Sequence, residues 1–517
     1  MTDDHSNSSR FEGLRHYVPP AVWVIVILVV LLIPLKIISG GYLPEDDALR
    51  HAAKAVSGKP WGDILVLGPA FRDQNFVWHF LLRQIFLWSR CDTDQLVVFS
   101  VAGLFILFGW SALVWLRRPE AWLITLTVVA LASGMMLRLM LGRPFVLTLT
   151  GVLAILCAWQ FRSTSPPRWR TLAWMTVVIA VCTLVHGVWY LWALPVAAFF
   201  LAGEFRWGIR LAGGWLAGSF LGACVTGHPI DSLWYAVEIA RRTLGLHDVQ
   251  NTMTAELQSF GGAIYALLAV GGLLALRNLC GLNRNPWKSN PVFWLMCLGW
   301  MLGFKAIRFW DDWGWPALMV LITSDVQLLL ETRFALDSLK RLALTGGLAV
   351  MTYLAITNDY GSRWTQNLTW SFITLDNPDL KGWLPEDGGI FYTADMNLFF
   401  QTFFKNPKAD WKYMTGYEPA LMPDEDFAVY RRVLWNFGDA KAYQPWVDKM
   451  RPPDRLVVRG AGGGTPDIPQ LEWKYGVSGI WLGRLPRTNS IPQPLSAPVI
   501  PTAASGDTST NTVKSTP

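Results

Sequence analysis

Three consecutive carboxylic acids, Glu45, Asp46 and Asp47, follow the first long apolar run of the sequence. Neighbouring carboxylates can take a proton from a hydroxyl group, or hold a divalent cation such as Mg²⁺ or Mn²⁺. A structural interpretation is also open, because Pro44 can begin a helix and acids in a first helical turn stabilise the helix dipole. Asp46 and Asp47 are therefore candidate catalytic residues and the candidate ligands of any metal. Glu45 is a candidate substrate contact.

Further polar residues accompany the acids in the same loop. If Pro44 begins a helix, Arg50 and His51 lie in its next turns, near Asp47. Farther along, the segment AFRDQNFVWHFLLRQIFLW carries apolar residues at helical spacing, interrupted by charged residues and by His79. This pattern predicts an amphipathic helix at the membrane interface. Arg50, His51 and His79 are candidate substrate contacts, although a structural role is the simpler interpretation of His79.

Two arginines and a histidine stand near the ends of later apolar runs. Arg138 and Arg143 lie in LRLMLGRPF, and His186 lies in LVHGVWYLW. An ionisable residue at membrane depth indicates a functional site, but a long arginine side chain can also simply extend to the interface. We therefore treat Arg138 and Arg143 as candidate functional residues, with extension to the interface as the alternative, and His186 as either a helix cap or a substrate contact.

The segment KAIRFWDDWGWP is the most informative short stretch of the sequence. Four charged residues lie there, in a turn between two apolar runs: Lys305, Arg308, Asp311 and Asp312. With the N-terminus in the cytoplasm, this turn lies on the outer side of the membrane, where the positive-inside rule predicts few basic residues. An anionic ligand such as a lipid phosphate would explain them, and internal pairing of the four charges is the alternative. Lys305 and Arg308 are thus candidate phosphate ligands, and Asp311 is a candidate substrate contact.

The composition indicates a membrane protein. Hydrophobic residues make up 52% of the 517 positions and charged residues only 16%, below the roughly 25% that is typical of soluble domains. This excludes an ordinary soluble enzyme and a disordered chain. The net charge of +6 comes from basic residues in short loops, so it indicates membrane orientation and not nucleic-acid binding. Six cysteines without a CxxC pair give no zinc or redox motif.

Long apolar runs predict helices that cross the bilayer, each of which needs about 20 apolar residues. Eleven candidate spans lie at 21–39, 96–116, 121–139, 144–161, 171–185, 187–203, 208–226, 259–276, 291–306, 313–330 and 341–357. The runs 171–185 and 187–203 are nearly continuous, and we predict a turn between them at His186 and Gly187. With the N-terminus in the cytoplasm, every cytoplasmic loop is basic, as the positive-inside rule requires.

The predicted fold is an all-α polytopic membrane domain of about eleven helices, with the N-terminus inside and the C-terminus outside. Strand-like runs at 455–460 and 479–485 predict that a small extracytoplasmic α/β or α+β domain follows. The predicted parts begin with a cytoplasmic tail (1–20) and a membrane domain (21–358), whose outer loop covers 40–94. An extracytoplasmic domain (359–487) and a disordered tail (488–517) follow. The predicted location is a bacterial cytoplasmic (inner) membrane.

Together these features resemble the GT-C superfamily of membrane glycosyltransferases. The resemblance rests on the acidic cluster after the first helix, the loop DDALRHAAKAVSGKPW, the segment KAIRFWDDWGWP and the eleven helices before a C-terminal domain. It covers the membrane region broadly, and the C-terminal domain matches only in position. Two family patterns differ in this chain. The His-Pro-Pro often found in the first loop is represented only by Trp78-His79-Phe80, and the Trp-Trp-Asp signature of oligosaccharyltransferases is absent, which argues against peptide glycosylation.

The resemblance implies transfer of a sugar from a polyprenyl-phosphate-linked donor to an extracytoplasmic acceptor: an envelope glycan, a lipid or a protein. The donor phosphate would be held by Arg308 and Lys305, with Arg138 and Arg143. Asp47 or Asp46 would deprotonate the acceptor hydroxyl, and a single displacement would invert the anomeric centre. We prefer Asp47 as the base, and a requirement for Mg²⁺ or Mn²⁺ stays open.

Two other classes of function compete with a transferase. Transporters, including flippases of envelope precursors, show internal repeats and helices broken near the midplane. The sequence shows no repeat, and its charges cluster at one face, which favours chemistry at the surface. A non-catalytic envelope assembly protein is the third class, and it predicts that neutralising Asp46 and Asp47 changes no envelope glycan.

Overall fold

The computed structural model shows a mostly helical chain with a small sheet near the C-terminus. The described residues are 15–68, 71–131, 133–162, 168–244, 255–281, 287–436, 439–460, 464–477 and 479–487. The predicted tail at 488–517 and the first fourteen residues of the predicted tail at 1–20 lie outside this part of the chain.

The helices before residue 359 follow the apolar runs of the sequence, with further helices in the loops. In chain order they are α1 Val18–Ser39, α2 Asp47–Ser57, α3 Phe76–Ser89, α4 Thr93–Leu113, α5 Glu120–Leu131, α6 Ser133–Leu139, α7 Phe145–Arg162, α8 Trp169–His186, α9 Ala193–Leu201, α10 Phe205–Cys224, α11 Pro229–Leu244, α12 Ala263–Leu279, α13 Pro291–Gly303, α14 Ile307–Arg333 and α15 Leu339–Thr357. Within α14, Trp310–Gly314 form a π-helical turn. Such turns are frequent at functional sites, and this one lies in the segment of the candidate phosphate ligands.

Five of the described helices are long and apolar enough to cross a membrane: α1, α4, α8, α14 and α15. A sixth candidate span exists if α10 and the first part of α11, which are bent by 107°, count as one. The remaining predicted runs also contain apolar helices, but these are shorter. They have 10–17 residues when the 3₁₀ turn at Trp189–Trp192 is counted with α9 and α7 is taken as Phe145–Phe161. The helices are compatible with a multi-pass membrane protein. The number of eleven spans and the orientation stay predictions.

The turn predicted at His186 and Gly187 is present. α8 ends at His186, and Gly187 adopts a left-handed conformation with a φ of +73°. Glycine enters this conformation without the steric cost of a Cβ atom, and it commonly ends a helix in this way. A single 3₁₀ turn, Trp189–Trp192, then leads into α9, so the nearly continuous apolar stretch forms two helices.

Small residues let α8 and α10 approach each other closely. Gly214, Gly218 and Gly222 recur every fourth residue on α10 and share one face of that helix. A Cβ atom on Gly218 would lie 2.6 Å from the carbonyl oxygen of Thr176, and one on Gly222 would lie 2.5 Å from that of Ala180. Spacing of this kind is typical of helix contacts within membranes.

A buried ion pair joins α5 to α15. Arg341 donates hydrogen bonds of 2.6 and 3.0 Å to the two carboxylate oxygens of Glu120, and neither side chain is more than 1% exposed. We expect Glu120→Gln to destabilise the protein by about 3–5 kcal/mol, because it leaves a guanidinium buried without its counter-charge. The measurement is the thermal unfolding midpoint in detergent. Replacing both residues by leucine should recover part of the loss, since Arg118, 3.8 Å from Glu120, still loses this carboxylate. An equal drop in that double variant would contradict the interpretation.

The C-terminal region (residues 359–487) contains a mixed sheet. Its strands are β1 Ile390–Tyr392, β2 Lys412–Tyr413, β3 Arg455–Arg459, β4 Glu472–Tyr475 and β5 Ile480–Arg484, in the order β2-β1-β3-β5-β4. β1 is parallel to β2 and β3, and β5 is antiparallel to β3 and β4. The helices of this region are α16 Met396–Lys405, α17 Asp424–Trp435 and α18 Gln444–Lys449. The two predicted strand-like runs correspond to β3 and β5.

The first loop (residues 40–94) lies between the apolar helices and this sheet. Tyr413 of β2 donates its backbone N–H to the carbonyl of Ile64 and accepts the N–H of Val66, so the loop adds a short stretch to the sheet edge. α2 packs against α3, α4 and α16. Ala53 of α2 lies in the same apolar cluster as the phenylalanines of α16. The acidic start of α2 is therefore held at a junction of three parts of the molecule.

Candidate functional site

A cavity of about 220 Å³, which we call the main cavity, lies where the first loop, the ends of several apolar helices and the C-terminal region meet. Its polar lining comes from segments far apart in the sequence: Asp47, Arg50, Arg72, Gln74, Asn75, Arg143, His186, Tyr190, Tyr235, Arg308, Tyr417 and Glu418. Four of these residues are arginines. Apolar side chains such as Phe145, Leu191 and Trp313 complete the wall. The main cavity therefore suits a ligand with both an anionic and an apolar part.

Asp47 is the first residue of α2 and lines the main cavity. Arg50 Nε donates a hydrogen bond of 2.5 Å to Asp47 Oδ1. Burial by itself would raise the pKa of Asp47, but the positive charges of Arg50 and Arg143 hold this pKa below its ordinary value. The Asp47 carboxylate is therefore ionised at neutral pH, in the form that can accept a proton.

Arg50 is buried, with 2% of its surface exposed, although it carries a full charge. Its Nη2 donates to Asn75 Oδ1 at 3.4 Å, and its guanidinium carbon lies 3.7 Å from the centre of the Tyr417 ring. Its Nη1 is buried and has no hydrogen-bond partner among the described residues. Because an unsatisfied buried donor is costly, Arg50 Nη1 indicates a position for an acceptor atom such as a phosphate oxygen.

Asp46 precedes Asp47 but turns to a different partner. Both oxygens of Asp46 accept hydrogen bonds from Arg143, one from Nε at 2.9 Å and one from Nη2. Arg143 Nη1 also donates at 2.5 Å to Glu256. Burial would raise the pKa of Glu256, but nearby arginines, Arg143 foremost, hold it well below its ordinary range. Asp46 lines a second cavity and is not part of the lining of the main cavity.

α14 contributes Arg308 to the main cavity. Arg308 Nε donates to one oxygen of Asp312 at 3.1 Å, and Arg138 Nε donates to the other oxygen at 2.7 Å. Arg138 also lies 3.3 Å from Glu256. The carboxylates of Asp312 and Glu256 therefore link the arginines into one charge network. The negative charges offset the repulsion between the neighbouring arginines, and Asp312 holds Arg308 at the cavity wall.

A buried chain of hydrogen bonds supports Arg50. Asp73 Oδ2 lies 2.8 Å from His79 Nδ1, and His79 Nε2 lies 2.8 Å from His51 Nδ1. Asp73 Oδ1 accepts the backbone N–H of Asn75 at 2.9 Å, and Asn75 in turn accepts the hydrogen bond from Arg50. The two histidines are therefore linked to the position of Arg50 through Asp73.

The buried histidines predict a loss of stability in acid. Burial lowers the pKa of both His51 and His79 below the ordinary value of 6.5, and Asp73 opposes this only in part for His79. The unfolded chain then binds protons more readily than the folded one, so stability should fall as the pH drops through about 6.5. We expect the unfolding midpoint to fall more steeply with acid in the wild type than in a variant with both histidines replaced by glutamine. Equal slopes would contradict this.

The structure brings five of the predicted site residues to the main cavity: Asp47, Arg50, Arg143, His186 and Arg308. The others lie elsewhere in the described part of the chain. Glu45 and Asp46 line the second cavity, His51 and His79 belong to the buried hydrogen-bond chain, and Arg138 belongs to the charge network. Lys305 is exposed, and Asp311 is partly buried in the π-helical turn. His186 Nδ1 lies 3.2 Å from Thr148 Oγ1.

Several residues of the site were missed by sequence reasoning. Glu256 is a single acid in a loop, and only the fold brings it to Arg143. Tyr417 lies in the C-terminal region, where the aromatic residues were too many to single one out. Arg72 and Asn75 lie in the first part of the segment predicted as an amphipathic helix, but the observed helix α3 begins only at Phe76. Their polarity beside an apolar run was the usable signal.

The carboxylates proposed as metal ligands are already engaged. A divalent cation needs several oxygen ligands. Asp46 uses both oxygens on Arg143, and Asp47 pairs with Arg50. In the described ranges, no group of three or more His, Cys, Asp or Glu side chains could hold a metal ion. These residues do not fit Mg²⁺ or Mn²⁺ in this arrangement, and we derive no step through a metal.

Comparison with known proteins gives no assignment. No family model matches the chain. A search of curated proteins also finds no match. The function is therefore inferred from the residues of the main cavity and from the charge network beside it.

Proposed function

We propose that this chain is a GT-C-type membrane glycosyltransferase, which moves a sugar from a polyprenyl-phosphate-linked donor to an envelope glycan, lipid or protein. The lining of the main cavity carries this proposal: an ionised carboxylate and four arginines share one space that also has apolar walls. A lipid-linked sugar phosphate combines an anion, hydroxyl groups and an apolar chain. Each of these parts matches one kind of lining residue.

The arginines of the main cavity would bind the donor phosphate. Arg50 offers an unpartnered Nη1 among the described residues, and Arg308 and Arg143 line the same space. When the sugar leaves, negative charge develops on the phosphate oxygen, and these guanidinium groups would stabilise it. Arg138 would not contact the phosphate itself, but would hold Arg308 in position through Asp312.

Asp47 would act as the general base. As the acceptor hydroxyl oxygen forms a bond to the anomeric carbon, its proton passes to the Asp47 carboxylate. The bond between the anomeric carbon and the phosphate oxygen breaks, and its electron pair leaves with the polyprenyl phosphate. Because one nucleophile displaces one leaving group from the opposite side, the configuration at the anomeric carbon inverts.

The proposed orientation places the main cavity on the outer face of a bacterial cytoplasmic membrane. It is supported by the distribution of charge within the structure. The first loop and the C-terminal region meet at one end of the apolar helices. Arg118 and Arg341 cluster around Glu120 at the start of α5, and basic residues of this kind are typical of cytoplasmic loops.

The experiment supplies labelled polyprenyl-linked sugars, with mono- and diphosphate carriers, to the protein in nanodiscs together with an envelope extract as acceptor source. The readout is the release of polyprenyl phosphate or diphosphate, with and without EDTA. Release by the wild type but not by Asp47→Asn would support the proposal. No release from any donor would contradict it, and movement of the intact donor across vesicles would favour a flippase instead.

A further inference from the structure

The second cavity, of about 200 Å³, is separate from the main cavity. Glu45 and Asp46 line it from the start of α2, and Asn367 lines it from the C-terminal region. Leu137 and Leu141 supply an apolar wall. The ion pair between Asp46 and Arg143 stands between the two spaces, because Asp46 lines the second cavity and Arg143 lines the main one.

Asn367, one of the residues that line the second cavity, has an unpaired acceptor atom. The side chain is buried, with 6% of its surface exposed, and its Nδ2 donates to the backbone carbonyl of Leu43. This contact sets the orientation of the amide, since the opposite orientation would bring two oxygen atoms together. Asn367 Oδ1 is then left buried, without a hydrogen-bond partner among the described residues. A buried acceptor of this kind calls for a ligand that donates.

The charges around the second cavity favour a cation. Glu45 accepts a hydrogen bond from the neutral amide of Gln366, and among the described residues it forms no ion pair. Asp46 has a cationic partner in Arg143, but Arg143 also pairs with Glu256, so its charge is shared between two acids. The negative charge of Glu45 therefore lacks a nearby counter-charge in this part of the chain, and it attracts a positive ligand.

We propose that the second cavity binds a primary ammonium group attached to a small organic body. The ammonium donates three hydrogen bonds, which suits the oxygen of Asn367 and the carboxylate of Glu45. A bare metal ion fits less well, because the Asp46 oxygens are taken by Arg143 and leucines form part of the wall. The ammonium can come from an aminosugar or from an aminolipid headgroup. The proposal does not depend on the transfer reaction.

The test measures binding to the full chain in phosphatidylcholine nanodiscs, by the rise in its thermal unfolding midpoint. The probes are methyl glucosaminide and, as a neutral match, methyl glucoside. A second arm replaces part of the lipid by phosphatidylethanolamine. Stabilisation by the glucosaminide alone would assign the amine to a sugar, and stabilisation by the lipid alone would assign it to a headgroup. No stabilisation in either arm, equal stabilisation by the neutral glucoside, or stabilisation by Mn²⁺ in place of the amines would overturn the proposal.

Variants locate the binding within the cavity. Glu45→Gln removes one charge from an exposed side chain and should weaken binding by about tenfold. Asn367→Leu removes the buried acceptor and should weaken binding by a similar factor, although it also loses a contact with Leu43 and can lower stability. The matched control is Glu425→Gln, an exposed acid in α17, which should bind as the wild type does. Unchanged binding in Glu45→Gln would place the amine elsewhere and overturn the proposal.

Discussion

Replacing Asp47 by Asn is expected to lower the rate of sugar transfer by about 10²–10⁴-fold, the range usual for loss of a general base. The amide keeps the size of the carboxylate and can still accept the hydrogen bond from Arg50, so we expect the fold to survive. What is lost is the ability to take the acceptor proton. The measurement is single-turnover release of polyprenyl phosphate from a labelled donor, with the unfolding midpoint measured on the same preparation.

The matched control is the same change at the neighbouring residue, Asp46→Asn. Asp46 is bound by Arg143 and lines the second cavity, so its loss should weaken the charge network and lower the unfolding midpoint. We expect a smaller loss of rate than for Asp47→Asn. The reverse order, with Asp46→Asn inactive and Asp47→Asn active, would move the base to Asp46 and contradict the assignment made from the main cavity.

Replacing Arg308 by Gln is expected to lower the transfer rate by about 10²–10³-fold, because one charged donor to the leaving phosphate is removed. Asp312 keeps its hydrogen bond from Arg138 in this variant, which should preserve the wall of the cavity. Arg308→Lys should recover part of the rate, since it restores the charge but not the planar pair of donors. The measurement is the same single-turnover assay, with the donor concentration varied.

Lys305→Gln discriminates between the two basic residues of this segment. In the sequence, Lys305 and Arg308 have the same predicted role as phosphate ligands. In the structure, however, only Arg308 lines the main cavity, and Lys305 is exposed. We therefore expect a much smaller change for Lys305→Gln than for Arg308→Gln. Equal losses would indicate that the donor phosphate lies nearer the surface than we propose, and would count against phosphate binding by the arginines of the main cavity.

Local features of this fold were predictable because they depend on neighbours in the chain. Helices occupy the predicted apolar runs, and the turn at Gly187 lies where expected, because apolar periodicity and a residue without a Cβ act over a few positions. The strands β3 and β5 coincide with short runs rich in branched and aromatic side chains. The predicted number of eleven spans is not confirmed in this way, since several of the helices are shorter than a bilayer requires.

The chemical groups of the site were also visible in the sequence, but their partners were not. Asp46 and Asp47 are adjacent, yet they line different cavities. Asp46 stands just before α2 with a φ of −140°, outside the helical range, while Asp47 is the first helical residue, so the two side chains leave the backbone in different directions. The packing around the two residues decided that Asp47 contacts Arg50 and that Asp46 contacts Arg143.

The sequence by itself determined the apolar helices, the small C-terminal sheet and the presence of acids and arginines near the ends of particular runs. The tertiary structure alone decided which of these charges share a cavity. Glu256 and Tyr417 reach the site from distant segments, and no local pattern marks them. The physical reason is that a charge buried at a junction is held by whichever counter-charges the packed elements bring within a few ångströms, and this depends on long-range contacts between apolar surfaces.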